Sequence, residues 1–445
     1  MDCIVDQWNA AYFDHRLSPA ALAALRPLNE ASADAQALAD RAFRLMRRAR
    51  LDAANLSLLT AWTLGTGVPK TVPSAWGGAV PPVTMSGRHR KLDDYIAANP
   101  WHRPTGEPVL VDLGCGFPPF TAVDSAATLA GWRIIGVDPA FDRYLLYDDR
   151  GDYACFDDDE QLRYYQSGLR DSDPAATRER LGRLLHHLLP LLPSKDNSEL
   201  AEVEHDGARL VRNPLRRYQT DRLALTRGEV GSFGIEGGVD VIRCMNVLMY
   251  FDQAFRERAL QWAPELLRPG GLVVCGSNWA HSISSRYTVY QDCGGSLESR
   301  EFAFSIDNLR PIALAPWYAL HDDNLENLCN AEAVGIIRSD ESFRRRFDDR
   351  LDVLLAQAGI CHRRPDGCLG SADENLTPAE IEERGAALID QLDREGFVDD
   401  AVTVLRQAGR NAWRNAAGHV AMQPVQPRPL PASALGPFPV SPASR

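Results

Sequence analysis

Two glycines and a nearby acid are the residues of this chain best placed to do chemistry. In Val109-Leu-Val-Asp-Leu-Gly-Cys-Gly116, a short apolar run ends in an acid and a glycine-rich turn. Glycine has no Cβ, so the backbone of such a turn can approach a ligand closely. A helix that follows the turn directs its free N–H groups at the ligand. The residues of this predicted binding loop are Asp112, Gly114, Cys115 and Gly116.

A second acid follows the next strand-like run. Asp138 comes directly after Arg133–Val137 and 22 residues beyond Gly116. A carboxylate in that position can accept hydrogen bonds from both hydroxyls of a ribose. The pattern fits NAD and S-adenosylmethionine equally. A dinucleotide loop, however, requires Gly-x-Gly-x-x-Gly, and Pro119 occupies the sixth position here, which weakens the oxidoreductase hypothesis.

Two later polar residues follow strand-like runs of their own. Glu229 comes after Arg222–Thr226, and Asn246 comes after Val239–Cys244. A Pro-Gly-Gly turn then begins a fifth run, Leu272–Gly276. Glu229 could border a bound base or be a solvated loop acid. Asn246 could face a ligand or hold buried backbone, and Asp112 could contact the ligand or support the loop.

This ordered series resembles the class I S-adenosylmethionine-dependent methyltransferases over roughly residues 109–310. The resemblance implies that the glycine turn holds the methionine part of the cofactor, that Asp138 binds its ribose and that Glu229 borders its adenine. It also implies that the strand ending at Asn246 lies under the transferred methyl group. The implied cofactor is S-adenosyl-L-methionine, with no metal.

The fourth run carries a narrower resemblance. The segment Val241–Asp252 is similar to the chemotaxis-receptor glutamate methyltransferases, which have Cys-Arg-Asn-Val followed by Tyr-Phe. Here Met245 stands in place of that arginine, and Arg243 lies two positions earlier. The similarity implies a cofactor role for Asn246. It also suggests a protein carboxyl or side-chain acceptor as an alternative to a small molecule or peptide.

The runs that carry these residues alternate with helical patterns, which predicts a parallel sheet covered on both faces. We expect an α/β, Rossmann-like methyltransferase sheet, parallel with an antiparallel final strand, in a domain over residues 85–335. The runs Tyr287–Tyr290 and Glu301–Ile306 are typical of a closing antiparallel pair. Short aromatic-rich runs between acidic turns predict a β-meander inserted near residues 143–166. These runs are Tyr144–Tyr147, Tyr153–Phe156 and Leu162–Tyr165.

Helical regions are expected on both sides of this domain, over residues 1–84 and 336–422. The second region has helical periodicity over Asp340–Leu355, Pro378–Glu395 and Ala401–Ala417. Residues 423–445 hold seven prolines and little apolar material, which predicts a disordered tail.

Composition limits the possible partners and compartment. The net charge of −12 disfavours nucleic acid, whose partners are normally basic. The sequence has no signal-peptide pattern and no apolar run of about 20 residues, so we expect a cytoplasmic protein without a membrane partner.

The nine cysteines fit reduced, buried thiols. Cys361 and Cys368 do not predict a metal site, because no second Cys/His pair at zinc spacing accompanies them. The adjacent His186 and His187 do not predict one either, because adjacent helix positions do not share a face.

Methyl transfer from a sulfonium is an in-line displacement in which alignment supplies much of the catalysis. A general base is needed only if the acceptor arrives protonated. The catalytic residues and the acceptor atom therefore stay unassigned at this stage, as does the oligomeric state. A non-catalytic module that binds an adenosyl ligand is a further alternative.

Overall fold

A computed structural model gives the fold. It describes residues 3–12, 15–68, 84–139, 144–149, 152–157, 159–166, 174–193, 200–212, 217–311, 319–370 and 376–431. The strands in these ranges are β1 (Val109–Leu113), β2 (Arg133–Asp138), β3 (Tyr144–Tyr147), β4 (Tyr153–Phe156), β5 (Leu162–Gln166), β6 (Ala201–His205), β7 (Ala208–Arg212), β8 (Leu223–Arg227), β9 (Val239–Met245), β10 (Leu267–Ser277), β11 (Arg286–Asp292), β12 (Leu297–Phe304), β13 (Ala412–Arg414) and β14 (Val420–Met422).

Helices occupy both ends of the chain and separate many of the strands. They are α1 (Ile4–Ala11), α2 (Pro19–Leu25), α3 (Ala33–Arg48), α4 (Leu58–Trp62), α5 (Arg90–Ala98), α6 (Phe120–Thr128), α7 (Pro174–Leu188), α8 (Gln253–Trp262), α9 (Leu325–Ile337), α10 (Glu341–Gln357), α11 (Pro378–Arg394) and α12 (Phe397–Gln407). Side-chain caps fix several starts, as where Thr377 and Glu380 form a capping box at α11. Among these described helices, none combines the length and apolar character needed to cross a membrane.

Nine of the described strands form one sheet, in the order β13-β14-β12-β11-β10-β9-β1-β2-β8. The five strands β8, β2, β1, β9 and β10 run parallel. Every residue of β1 and β9 is buried, as expected for parallel strands covered on both faces. The predicted α/β class with a large parallel sheet is therefore confirmed.

The other half of this sheet contains the predicted closing antiparallel pair, as β11 and β12, but it has more antiparallel strands than the single final one expected. Four strands, β11, β12, β14 and β13, are antiparallel to their neighbours. β11 and β12 are joined by a tight turn in which Gly294 and Gly295 have positive φ, and so short a connection can only reverse the chain direction. β13 and β14 come from the C-terminal part of the sequence and extend the sheet beyond β12.

The inserted meander is larger than predicted. β3, β4 and β5 pair antiparallel where the sequence predicts them, but they belong to a separate five-stranded sheet of order β5-β4-β3-β7-β6. The hairpin of β6 and β7 was not predicted, and it extends the insert well past residue 166. α7 covers this sheet with Leu181, Leu185 and Leu188, which are fully buried and share one helix face.

The last predicted helix, Ala401–Ala417, is wrong at its C-terminal end. The observed helix α12 ends at Gln407, and Gly409 follows with a φ of 76°. A glycine in this left-handed conformation ends a helix without steric cost. The chain then turns into β13, so the C-terminal region is not purely helical.

The start of the predicted disordered tail lies against α3. Arg44 donates a hydrogen bond to the carbonyl of Pro431 (2.9 Å), and Arg48 donates one to the carbonyl of Arg428. Guanidinium groups of α3 therefore bind the backbone of residues 428–431, and the disorder of the tail stays a prediction. Residues 432–445 lie outside the described residues.

The N-terminal and C-terminal helices pack into one apolar core. Phe43 of α3, Val334 of α9 and Phe347 of α10 share this core with Phe302 of β12. The two helical regions, which are far apart in the sequence, therefore cover the antiparallel half of the large sheet together. The carboxyl ends of the parallel strands carry the candidate site.

Candidate functional site

The glycine loop follows β1 in a conformation that only glycine adopts easily. Gly114 and Gly116 have φ values of 80° and 70°, in the left-handed region. A Cβ added to Gly114 would lie 2.2 Å from Cγ2 of Val247, so a larger residue would clash as well as strain the backbone. The amides of Gly114 and Cys115 both donate to the carbonyl of Val137, at 2.7 and 3.2 Å. The loop therefore crosses the end of β2.

Asp138 and the glycine loop are in direct contact. The carboxylate lies at the end of β2, and its Oδ2 accepts the N–H of Gly116 at 2.9 Å. Its main-chain carbonyl accepts the N–H of Gly228 at 3.3 Å, so the loop after β8 lies beside it. The structure thus brings together the two segments that the sequence singles out first. Glu229 follows Gly228 and is exposed, and its role beside an adenine stays a prediction.

Asp112 is buried and fully engaged by other side chains. Arg243 donates Nε to Oδ1 (3.0 Å) and places Nη2 2.9 Å from Oδ2, while Thr121 donates Oγ1 to Oδ2 (2.6 Å). This geometry favours loop support over ligand contact. Cys115 is also buried, and burial raises the pKa of its thiol. The thiol of Cys115 is therefore enclosed by the chain, and its backbone amide donates to Val137.

Arg243 joins a second carboxylate beneath the loop. Its Nη1 lies 2.5 Å from Oδ1 of Asp93, which also accepts the hydroxyl of Ser125 at 2.9 Å. Burial raises the pKa of Asp93 to about 6, against the opposing effect of Arg243. Asp93, Asp112 and Arg243, which we call the Arg243 cluster, tie α5, β1 and β9 together behind the glycine turn.

Sequence reasoning missed this cluster. It noted Arg243 only as a displaced motif residue and did not single out Asp93. One signal was available, because Arg243 interrupts the apolar run Val239–Met245. A cation inside a buried strand must be paired, so that position alone predicts carboxylate partners nearby.

Asn246 follows β9 and pairs with a second asparagine. Its φ of 59° is left-handed, which asparagine tolerates better than most residues. Its Nδ2 donates to Oδ1 of Asn278 (2.9 Å), and its Oδ1 accepts the backbone N–H of Asn278 (3.0 Å). The half-buried Asn246 is thereby fixed beside the end of β10. Sequence reasoning did not identify Asn278.

Asn278 in turn connects to the segment before α5. Its Nδ2 lies 2.8 Å from the carbonyl of Arg88 and 3.0 Å from Nδ1 of His89. Burial, and then the positive charges of Arg243 and Arg88, lower the pKa of His89. The ring is therefore neutral near pH 7, and its Nδ1 can accept the hydrogen bond from Asn278.

The loop after β10 is strained. His281, Ser282 and Ser284 have φ values of 50°, 62° and 51°, although none is glycine. Asp307 holds this conformation, because its Oδ2 accepts both the N–H (2.7 Å) and the hydroxyl (3.2 Å) of Ser284. Such strain persists only where surrounding contacts enforce it, and it is concentrated at functional sites. Within this loop His281 is exposed, whereas Trp279 is half-buried and donates its Nε1–H to Glu382.

A cavity opens near the end of β10, between α3 and α9. Its volume is about 490 Å³ including the solvent at its mouth, and apolar side chains such as Leu45 and Met46 form most of its wall. Arg286, also in the wall, donates Nε to Oγ of Ser277 (3.2 Å), the residue before Asn278. Asn330, also in the wall, has a buried Oδ1 for which the described residues supply no hydrogen-bond partner. The cavity therefore combines apolar walls with a polar atom that could accept a hydrogen bond from a ligand.

Comparison with known proteins gives little beyond these observations. No protein-family model matches the chain, and no curated protein matches it. Several solved structures are similar to the chain at a low level. PKMT2 from Rickettsia typhi has 12% identity over 75% of this chain, with a TM-score of 0.22. CalS10, an amino pentose methyltransferase from Micromonospora echinaspora with bound SAM, has 13% identity over 50% of this chain, with a TM-score of 0.21.

The third similar structure, YjhP from E. coli, has 11% identity over 79% of this chain and a TM-score of 0.20. This chain spans 44% of the PKMT2 chain, 68% of CalS10 and 95% of YjhP. At these TM-scores the similarities do not identify a family. The functional assignment rests on the residues of this chain.

Proposed function

We propose that the chain binds S-adenosylmethionine at the loop of Gly114 and Gly116 and transfers its methyl group to a small molecule. The observation that carries this proposal is the 2.9 Å hydrogen bond from the N–H of Gly116 to Asp138. It joins a left-handed glycine turn and an acid at the carboxyl ends of adjacent parallel strands, where ligands bind in such sheets.

The residues at this edge suit the cofactor chemically. The glycine turn lets a ligand approach the backbone without a Cβ in the way, and the carboxylate of Asp138 is of the kind that accepts ribose hydroxyls. Asn246, held by Asn278, offers amide groups beside the end of β9. When bound, the cofactor supplies a sulfonium methyl group that a nucleophile can attack directly.

The role proposed for the protein is therefore mainly one of positioning. The Arg243 cluster holds the glycine turn in place from behind, and the Asn246–Asn278 pair joins the ends of β9 and β10. Holding donor and acceptor in line at near-attack distance can supply much of the rate acceleration. The proposal assigns no general base.

The cavity between α3 and α9 favours a small-molecule acceptor. Arg286 in its wall donates to Ser277, the residue before Asn278 at the end of β10. Its mostly apolar wall with a few polar side chains is typical of a site for a small molecule. The unpaired Oδ1 of Asn330 favours an acceptor that combines an apolar body with at least one hydrogen-bond donor.

The glutamate-methyltransferase hypothesis gains no support from Arg243. This residue lies two positions before the family's motif arginine and is fully buried in the Arg243 cluster, so it is not available to a protein substrate. Protein carboxyl methylation stays a prediction from sequence similarity alone. A non-catalytic adenosyl-binding module is an outcome that the experiment below can distinguish.

Calorimetry with S-adenosylmethionine, S-adenosylhomocysteine and NAD tests the proposal directly. We expect both adenosyl ligands to bind with micromolar affinity and NAD to bind far more weakly. Release of S-adenosylhomocysteine during acceptor screening would then demonstrate transfer, whereas tight binding without turnover on any acceptor would favour the binding module. If folded protein binds neither adenosyl ligand, the proposal is wrong, and preferential NAD binding would support an oxidoreductase.

A further inference from the structure

A group of metal-ligating side chains lies on the inserted sheet, away from the proposed cofactor site. His187 is near the C-terminal end of α7, His205 ends β6, and Asp206 follows in the turn to β7. One ligand atom from each of these residues lies within 4.8 Å of the other two. Nε2 of His205 is 3.4 Å from Oδ2 of Asp206, and the rings of His187 and His205 have centroids 5.2 Å apart.

We propose that His187, His205 and Asp206 bind a divalent transition-metal ion, with Zn²⁺ as the reference ion. Two imidazoles and a carboxylate are donors that Zn²⁺ accepts, at about 2.0–2.2 Å from the metal. The side chains of His205 and Asp206 are 46% and 87% exposed, so they can rotate to close the remaining distance. Three protein ligands leave a fourth position for water.

Regular structure fixes the backbone on both sides of this site. The β6–β7 hairpin pairs His205 with Ala208, and its two-residue turn has Asp206 and Gly207 at φ values of 49° and 77°. Positive φ at both central residues is the geometry of the common two-residue hairpin turns. α7 is anchored by its buried leucines, which include Leu185 and Leu188. Ligands presented by packed elements lose little freedom when an ion binds.

The neighbouring His186 takes no part in the proposed site. Its Nε2 lies 3.6 Å from Oε2 of Glu160, in the turn between β4 and β5. Glu160 and the β6–β7 hairpin belong to opposite edges of the inserted sheet. His186 and His187 therefore contact different parts of the inserted sheet, and the sequence alone could not bring His205 to His187.

An ion at this position would link α7 to the β6–β7 hairpin. These elements are joined here by exposed contacts, so the ion would add a cross-link to the inserted sheet. Binding to the folded state alone stabilises it in proportion to the logarithm of metal concentration. Zn²⁺ should therefore raise the Tm of the chain, with or without an adenosyl ligand.

Calorimetry with ZnCl₂ on metal-stripped, full-length protein without a histidine tag tests the site. We expect one equivalent to bind with micromolar affinity, and His187→Ala and His205→Ala each to weaken binding at least tenfold. His186→Ala, the matched control, should bind as the wild type does. The Co²⁺-loaded protein should show d–d bands without thiolate charge transfer, which excludes binding at the cysteines.

Three results would overturn the inference. The first is wild-type Zn²⁺ affinity no tighter than millimolar. The second is unchanged affinity in both His187→Ala and His205→Ala. The third is a loss in His186→Ala as large as in His187→Ala. Circular dichroism of each variant, measured in the same buffer, checks that the fold is intact.

Discussion

Two buried carboxylate clusters, one in each half of the large sheet, neutralise charge in different ways. In the Arg243 cluster of the parallel half, a fully buried guanidinium lies between Asp93 and Asp112. In the antiparallel half, the fully buried Glu301 accepts hydrogen bonds from Tyr95 (3.1 Å), Trp101 (3.1 Å) and Asn415 (2.6 Å). We call these four residues the Glu301 cluster.

The difference predicts how each half responds to the loss of one partner. Removing a charged partner from a buried ion pair leaves an uncompensated charge, which costs about 3–5 kcal/mol. Removing one neutral donor from a carboxylate that keeps its other donors removes a single hydrogen bond, which lowers stability by about 1.5–3 kcal/mol. The parallel half, which carries the proposed cofactor loop, should therefore be the more sensitive.

The largest effect is expected for Arg243→Met. This change leaves Asp93 and Asp112 buried without their cation, and we expect the free energy of unfolding to fall by about 3–5 kcal/mol. Urea unfolding measures the loss. Arg345→Met, which removes an exposed ion pair with Glu341, should change stability by less than about 0.5 kcal/mol. Equal effects of the two substitutions would contradict the account of the cluster.

Asp93 should give the Arg243 cluster a distinct pH dependence. Burial raises its pKa to about 6 from an ordinary 3.8, so the folded state holds this proton more tightly than the unfolded chain. Its stabilising contribution is then complete below the unfolded pKa and is lost as the pH rises towards 6. Between about pH 4 and pH 7, the wild type should lose about 2 kcal/mol relative to Asp93→Asn.

Unfolding curves across that pH interval, fitted for both proteins, test this sign. Asp124→Asn supplies a control with a carboxylate at the surface, where it accepts hydrogen bonds from Ser86 and Gly87. A difference between wild type and Asp93→Asn that stays constant with pH, or that grows in favour of the wild type, would show that the pKa of Asp93 is not raised.

Substitution of two glycines that have nearly the same φ distinguishes the cost of a steric clash from the cost of backbone strain. Gly114 and Gly131 have φ values of 80° and 79°, but only a Cβ on Gly114 would clash, with Val247. Gly131→Ala should cost about 1–2 kcal/mol from strain alone. Gly114→Ala should cost about 1–3 kcal/mol more and should also abolish S-adenosylmethionine binding. Equal stability losses, with ligand binding retained in both variants, would contradict the proposed role of the loop.

The smallest effect is expected for Tyr95→Phe in the Glu301 cluster. The change removes one hydroxyl donor to Glu301 and preserves the ring, so the loss should be about 1.5 kcal/mol. Thermal unfolding of Tyr95→Phe and of Arg243→Met, measured under the same conditions, compares the two losses of stability. A loss in Tyr95→Phe that matches Arg243→Met would mean that the two clusters do not differ in the way proposed.

What the sequence could predict was mostly local. The glycine turn and Asp138 lie within one strand–helix–strand unit, and the chain pattern alone places them together. The Arg243 cluster instead joins residues 131 and 150 positions apart, and Glu301 meets Asn415 from 114 positions away. Periodicity carries no information about such pairings.

The errors in secondary structure have the same origin. The sequence predicts a helix that continues past Gly409, but the exposed edge of β12 offers backbone partners that β14 and then β13 complete. The hairpin of β6 and β7 carries polar residues on its exposed positions, so it lacks the aromatic pattern that identified β3 to β5. In both cases tertiary pairing decided the conformation.

The most direct test of the central claim is the affinity of S-adenosylmethionine for Asp138→Ala compared with Asp221→Ala. Asp138 contacts the glycine turn, whereas Asp221 is exposed just before β8. We predict at least a tenfold loss for Asp138→Ala, about 1.4 kcal/mol, and none for Asp221→Ala. Unchanged affinity in a correctly folded Asp138→Ala protein would contradict the assignment of this edge of the sheet as the cofactor site.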